Sequence, residues 1–197
     1  MVTKSKMTSH ISAPDGFDSD ELLALARIDV EKGNLSEALH KLKQVTAEET
    51  APTEAFSTTA RLYAQLGLWD RAQKMFQKYL ELEPKAMTET FQLGMVHSDA
   101  GRPAEALKIW DGLLKHNPTH PPALFYRALV LAQGGQVVPA RQSLDVLLKS
   151  VPADNLYFGR GKELLQGLDT YPQSSTPAVQ TTESRAALAK DAYKTEH

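Results

Sequence analysis

Apolar residues recur along this chain at intervals of three and four, in stretches of 11 to 15 residues such as TEAFSTTARLYAQL and WDRAQKMFQKYLEL. That spacing gathers them on one face of a helix, and the stretches are too long for strands. The stretches come in pairs joined by a short glycine-containing turn, and the pairs recur. GNLSEALHKL at 33–42, GLWDRAQKMF at 67–76, GRPAEALKIW at 101–110 and GQVVPARQSL at 135–144 share one frame, with a period of 34 residues and no slip. Four copies in register mean that the chain builds one helical hairpin repeatedly.

The residues that keep the period have distinct physical tasks. Gly33, Gly67, Gly101 and Gly135 fall just past the first helix of each pair, where a left-handed backbone closes a helix end at least cost with glycine. Pro84, Pro118 and Pro152 mark the end of the second helix, where a missing amide donor does least harm. Small residues recur in the first helix at Ala26, Ala60, Gly94 and Ala128, and in the second at Ala38, Ala72, Ala106 and Ala140. Two helices approach closely only over small side chains. Leu42, Phe76, Trp110 and Leu144 then fill the grooves beside each crossing. The period lets one hairpin stack on the last.

This order of Gly, Ala, bulky residue and Pro resembles the tetratricopeptide repeat family over residues 19–152, as four repeats beginning at Ser19, Thr53, Met87 and Pro121. The middle repeats carry the likeness best, through Phe56, Ala60, Tyr63, Ala72, Phe76 and Pro84, then Leu93, Gly94, Ala106, Trp110 and Pro118. Departures fall mostly in the outer repeats: Asp29 stands where the family has an aromatic, Thr50 where it has proline and Arg127 where it has leucine. Val45, Tyr79, Leu113 and Leu147 occupy a position at which the family has a small residue. The resemblance implies an all-α fold, a right-handed superhelical solenoid of four hairpins. A further segment, ADNLYFGRGKELLQGL at 153–168, reads as a C-terminal capping helix that starts after Asp154 or Asn155, with Lys162, Glu163 and Gln166 on its polar face. The repeat domain is thus expected over 19–168, flanked by disordered tails at 1–18 and 169–197 whose composition is polar and, at the C-terminus, rich in Pro, Ser and Thr. Within the second tail, 184–194 has the pattern of a short helix that is marginal alone.

Composition narrows the function. A formal net charge of -2 argues against a nucleic-acid binder. The N-terminus has no apolar run of the kind a secretory signal needs, and the most apolar run, PPALFYRALVLAQGG, is interrupted by Arg127 and too short to span a membrane. The expectation is a cytoplasmic protein without membrane insertion, and the absence of cysteine agrees with a reducing compartment. No catalytic constellation, metal set or cofactor motif emerges. The six histidines are scattered and read as solvated, and His116 and His120 flank Pro118 in a turn instead of sharing a helix face. Gly159, Arg160 and Gly161 lack the frame of a phosphate loop. Without cysteine there is no thiol nucleophile.

The family resemblance instead implies a concave groove lined by the first helices. Mapped onto this chain, the lining is Leu23, Arg27, Thr58, Arg61, Gln65, Phe91, Gln92, Met95, Phe125, Tyr126 and Leu129. Arg27 and Arg61 are expected to form a cationic strip, and Phe91, Phe125 and Met95 an apolar shelf; the competing expectation pairs the arginines with Glu31 or Asp20 and packs the aromatics between helices. The carboxylate clamp of the family's chaperone-tail readers is missing, since Leu23, Arg27, Thr58, Thr88 and Gln92 occupy its positions. The expected function is a non-catalytic adaptor that holds a peptide segment of a partner protein. The alternative is a self-associating scaffold or assembly factor of a larger complex, such as a bacterial secretion or appendage system. Because neither tail continues the apolar period, a chain cut to residues 18–169 is expected to melt like the full protein, and a large loss of helicity by circular dichroism would show that a tail packs on the array.

Overall fold

The computed structural model describes residues 16–170. Among them are nine helices and no strand: α1 (Ser19–Glu31), α2 (Leu35–Val45), α3 (Thr53–Gln65), α4 (Trp69–Leu82), α5 (Met87–Asp99), α6 (Pro103–His116), α7 (Pro121–Gln133), α8 (Val137–Ser150) and α9 (Leu156–Thr170). The expectations for the two tails, including a helix at 184–194, lie outside the described residues. Each hairpin pairs an odd-numbered helix with the next even one, each second helix touches the following first helix, and α1 meets α3 as α5 meets α7. The result is a helical-repeat solenoid, and the capping helix α9 packs on α8 and α7.

Local signals set the ends of these helices. The four periodic glycines all have positive φ, between 70° and 79°, as the left-handed helix end requires. Asp18 accepts from the Glu21 amide while Glu21 reaches back to the Asp18 amide, a reciprocal cap that starts α1. Asn155 accepts from the Tyr157 amide at 2.9 Å and opens α9, which runs to Thr170, past the expected end at 168. Gly161 lets α9 lie close on α8, because a β-carbon there would stand 2.9 Å from a Leu147 methyl. This packing contact accounts for the glycine.

The crossing of α5 on α6 leaves no room for a side chain at Gly94. Trp110 is fully buried, and its indole Nε1 donates to the Phe91 carbonyl at 3.2 Å. A β-carbon on Gly94 would come within 2.2 Å of that nitrogen and 2.7 Å of two ring carbons. The other repeats set alanine against a smaller partner: Ala26 with Leu42, Ala60 with Phe76 and Ala128 with Leu144, all fully buried. Side-chain volume is thus exchanged across the crossing, so that the helix spacing can stay constant while the residues vary.

Two departures from the repeat pattern, Asp29 and Arg127, are absorbed by polar contacts. Asp29 pairs with Lys41 at 2.6 Å, and the hydrogen bond from that ammonium holds its carboxyl below the ordinary carboxylate range. Arg127 donates to Asp111 and to the Ser143 hydroxyl, each at 2.6 Å, and so ties α7 to α6 and α8. Two histidines expected on the surface are structural. His97 is buried in α5, and His120 caps α7 by accepting the Ala123 amide on Nδ1 at 3.2 Å. Burial pushes both imidazoles below their ordinary value, and the nearby positive charge of Arg102 adds to the effect at His97.

Two outcomes follow from these contacts. Gly94→Ala is expected to destabilise the fold by ~1–3 kcal/mol, since the overpacking at Trp110 outweighs the ~1 kcal/mol that alanine contributes to helix propensity. Adding Trp110→Phe, which recreates the Ala60–Phe76 pair of the second repeat, should recover most of that loss in denaturant titrations. The histidines set a pH dependence. Their folded pKa values lie below the unfolded 6.5, so the unfolded chain binds protons first, and stability is full above 6.5 and falls as pH drops below it. Melting temperature should therefore decline from pH 7 towards 5, and His120→Asn, which keeps a cap acceptor without titrating, should flatten part of that slope.

Candidate peptide-binding face

The first helices α1, α3, α5 and α7 carry every residue expected in the groove, but at different depths. Arg27 and Gln65 are exposed; Thr58, Arg61 and Leu129 are half-buried. Leu23, Gln92, Met95 and Tyr126 are buried, as are Phe91 at 4% and Phe125 at 5% exposure. The aromatic shelf is therefore internal. Phe91 stacks on Trp110 with ring centroids 6.2 Å apart and meets Tyr126 at 5.6 Å and the His120 ring at 5.8 Å. Phe125 stands edge-on to Tyr126 at 5.2 Å and reaches Tyr157 of the cap at 5.8 Å. One aromatic ladder thus runs through α5, α6, α7 and α9, and its rings pack between helices instead of facing solvent. Truncating either phenylalanine would open a cavity in the core.

The cationic strip also resolves into two unlike residues. Arg61 donates from Nη2 to Glu89 Oε1 at 2.6 Å, and both side chains are largely buried, at 20% and 10% exposure. Its partner is on the next repeat, and is neither Glu31 nor Asp20. The pair neutralises itself locally, so Arg27 is the more accessible cation. Glu89 was not among the expected residues, although a signal for it exists in the chain. The equivalent positions of the second and fourth repeats hold Ala55 and Ala123, both fully buried, whereas that of the first holds Glu21, exposed because no hairpin precedes it among the described residues. A carboxylate in such a buried position requires a close cation, and Arg61 on the preceding first helix is within reach. The pair therefore fastens α3 to α5 across the repeat boundary.

The face that results has a fixed apolar interior and a polar edge formed by Arg27, Thr58, Arg61 and Gln65. Thr58 and Gln65 offer hydrogen-bonding groups, Arg27 offers a charge, and Leu129 a partly open apolar surface. Such a set suits noncovalent recognition. Among the described residues no group of three or more His, Cys, Asp or Glu is placed to hold a metal ion, and no helix is long and apolar enough to cross a membrane.

A family model described as tetratricopeptide repeat matches residues 23–86 and 91–155. Among curated proteins, human protein O-mannosyl-transferase TMTC3 is 29% identical over 135 residues, which cover 66% of this chain and 15% of that protein. This chain therefore spans a small part of that relative's length. Among solved structures, a tetratricopeptide repeat protein from Parabacteroides merdae is similar with a TM-score of 0.67 at 20% identity, covering 89% of this chain and 65% of the other. MamA from Desulfovibrio magneticus is similar with a TM-score of 0.67 at 16% identity, covering 89% and 90%. At such identities the structural likenesses speak for the fold alone. The family match, extending over more than half of the chain in the register that the periodic glycines set, places this protein in the tetratricopeptide repeat family.

Proposed function

We propose that the chain is a non-catalytic adaptor that holds a peptide segment of a partner protein across its first helices. Family membership supports an interaction role in general. The observation that carries the finer reading is the polar edge of Arg27, Thr58, Arg61 and Gln65 beside an interior whose rings are held by mutual stacking. A surface fixed in this way loses little freedom on binding, so more of the contact energy appears as affinity. Thr58 and Gln65 would bond the backbone of an extended segment, Arg27 would attract an acidic side chain, and Leu129 would meet an apolar one. Leu23, Phe91, Gln92, Met95, Phe125 and Tyr126 serve in this reading as the supporting floor, and Arg61 with Glu89 as a brace. Neither a cofactor nor a nucleic acid is needed, and cytoplasmic placement belongs to the same proposal.

The test is site-specific photocrosslinking in the native source. A benzoylphenylalanine in place of Thr58 or Gln65 should capture a partner protein, whereas the same group in place of Gln77, exposed on the second helix α4, should not. Arg27→Glu should weaken capture at low salt and have little effect at high salt, because exposed charges are screened over ~8 Å at physiological ionic strength. Adducts from position 77 alone would move the site to the second helices. Adducts between copies of this chain, together with a concentration-independent oligomer by light scattering, would replace the adaptor with a self-assembling scaffold.

A further inference from the structure

One face of α1 is left open. Glu21, Leu25, Ile28 and Lys32 are spaced so that a helix of about 3.6 residues per turn brings them within about 60° of one another around its axis. Lys32 continues the stripe because its amide still bonds the Ile28 carbonyl. Ile28 is 43% exposed and Leu25 half-buried, and the two charged residues are exposed at the ends. In the later first helices the same stripe is covered. Ile28 corresponds to Leu62, Val96 and Val130, none more than 6% exposed, and Leu62 packs in one cluster with Leu22, Leu42 and Val45 of the preceding hairpin. No hairpin precedes α1 among the described residues. The array therefore ends on a surface that every later repeat buries.

The order of residues along this stripe makes it complementary to itself. Leu25 and Ile28 share a midpoint with Glu21 and Lys32, between Ala26 and Arg27. Two α1 helices laid antiparallel about a two-fold axis at that point set each Leu25 against Ile28 of the second copy. The same axis sets each Glu21 against Lys32 of the second copy. A parallel arrangement would instead bring like charges together, which costs energy. Glu21 is already held in place by its reciprocal cap with Asp18. Ala24 beside the stripe is small and exposed, so the two backbones can approach closely. Such reciprocal pairing, residue i on j and j on i, is what a two-fold interface demands.

We infer that the open face of α1 is the interface of a symmetric dimer of this chain, with Leu25 and Ile28 at its centre and Glu21 and Lys32 at its rim. One helix face is small beside the ~800 Å² per partner of a standard interface, so the dimer is reversible and its population rises with concentration. Arg27, Thr58, Arg61 and Gln65 lie outside the stripe. The inference therefore does not rest on the adaptor reading, and either can fail while the other stands. Where both hold, one particle presents two peptide-binding faces, and a partner with two suitable segments gains because its second contact is intramolecular.

Sedimentation equilibrium of the full chain over a concentration series tests this. The average mass should rise from that of one chain towards that of two. Ile28→Glu and Leu25→Lys should each weaken association about tenfold or more, because a central apolar contact is replaced by a charge that must be desolvated. Mixed in equal amounts, the two variants should associate again, since the antiparallel pairing sets Glu at position 28 of one chain against Lys at position 25 of the other. Circular dichroism melts check that both variants fold. Lys32→Glu, at a fully exposed position that leaves the core untouched, provides a second measurement and should weaken the dimer severalfold at low salt and less at high salt. The inference is overturned if the parent stays monomeric up to roughly 1 mM, the weakest association expected of a specific face. It is equally overturned if Ile28→Glu or Lys32→Glu dimerises like the parent, or if the mixture associates no better than its components. Cover of α1 by another segment of the same chain would give the monomer.

Discussion

The close approach of α5 to α6, with the Trp110 ring pressed on the bare backbone of Gly94, sets the geometry on which the middle of the array depends. The indole fills the groove beside the crossing, and its bond to the Phe91 carbonyl fixes the ring. Phe91 in turn packs on Trp110 and on Tyr126 of the next hairpin. One small residue therefore governs two interfaces, the one inside the third repeat and the one between the third and fourth. The same logic of paired volumes operates at the other crossings, where alanine stands with a smaller partner.

Most of the fold was legible in the chain because a repeated unit states its own boundaries several times over. The periodic glycines, prolines and small residues act locally, through helix ends and helix contacts, and local effects survive translation into structure. The capping helix was legible for the same reason, from Asn155 and the polar positions beyond it. Depth was not legible. Position within a repeat tells which side of a first helix a residue occupies, but whether Phe91 or Phe125 reaches solvent depends on what the next hairpin sets against it, here Tyr126 and Tyr157. Charge partners were hidden in a similar way: Arg61 meets Glu89 across 28 residues of chain, a distance at which no helical spacing rule applies.

Two departures from the family pattern show how such a solenoid tolerates charged residues at half-buried positions. Asp29 and Arg127 replace apolar or aromatic positions, and each is neutralised by a partner from a neighbouring helix. Arg127 also engages Ser143, so that its guanidinium is shared between two elements. A buried charge left alone would be expensive. Provided with a partner, such a charge becomes a link: Asp29 ties α1 to α2 within the first hairpin, and Arg127 ties the fourth hairpin to the third through Asp111.

The core is not continuous from end to end. Leu22, Leu23, Ala26, Ala38, Leu42, Val45, Ala55 and Leu62 form their own cluster, apart from the larger one that extends from Ala60 to Tyr157, with Leu39 touching both. In an array stabilised by neighbours, each end unit has one interface fewer than those inside it. Here the N-terminal hairpin has in addition no share in the aromatic ladder. Its amides should exchange with solvent at a lower free energy than those of α5 and α6, by a partial opening that leaves the rest folded. Pulled from its N-terminus, the protein would release this hairpin first and the larger block afterwards, lengthening in unequal steps.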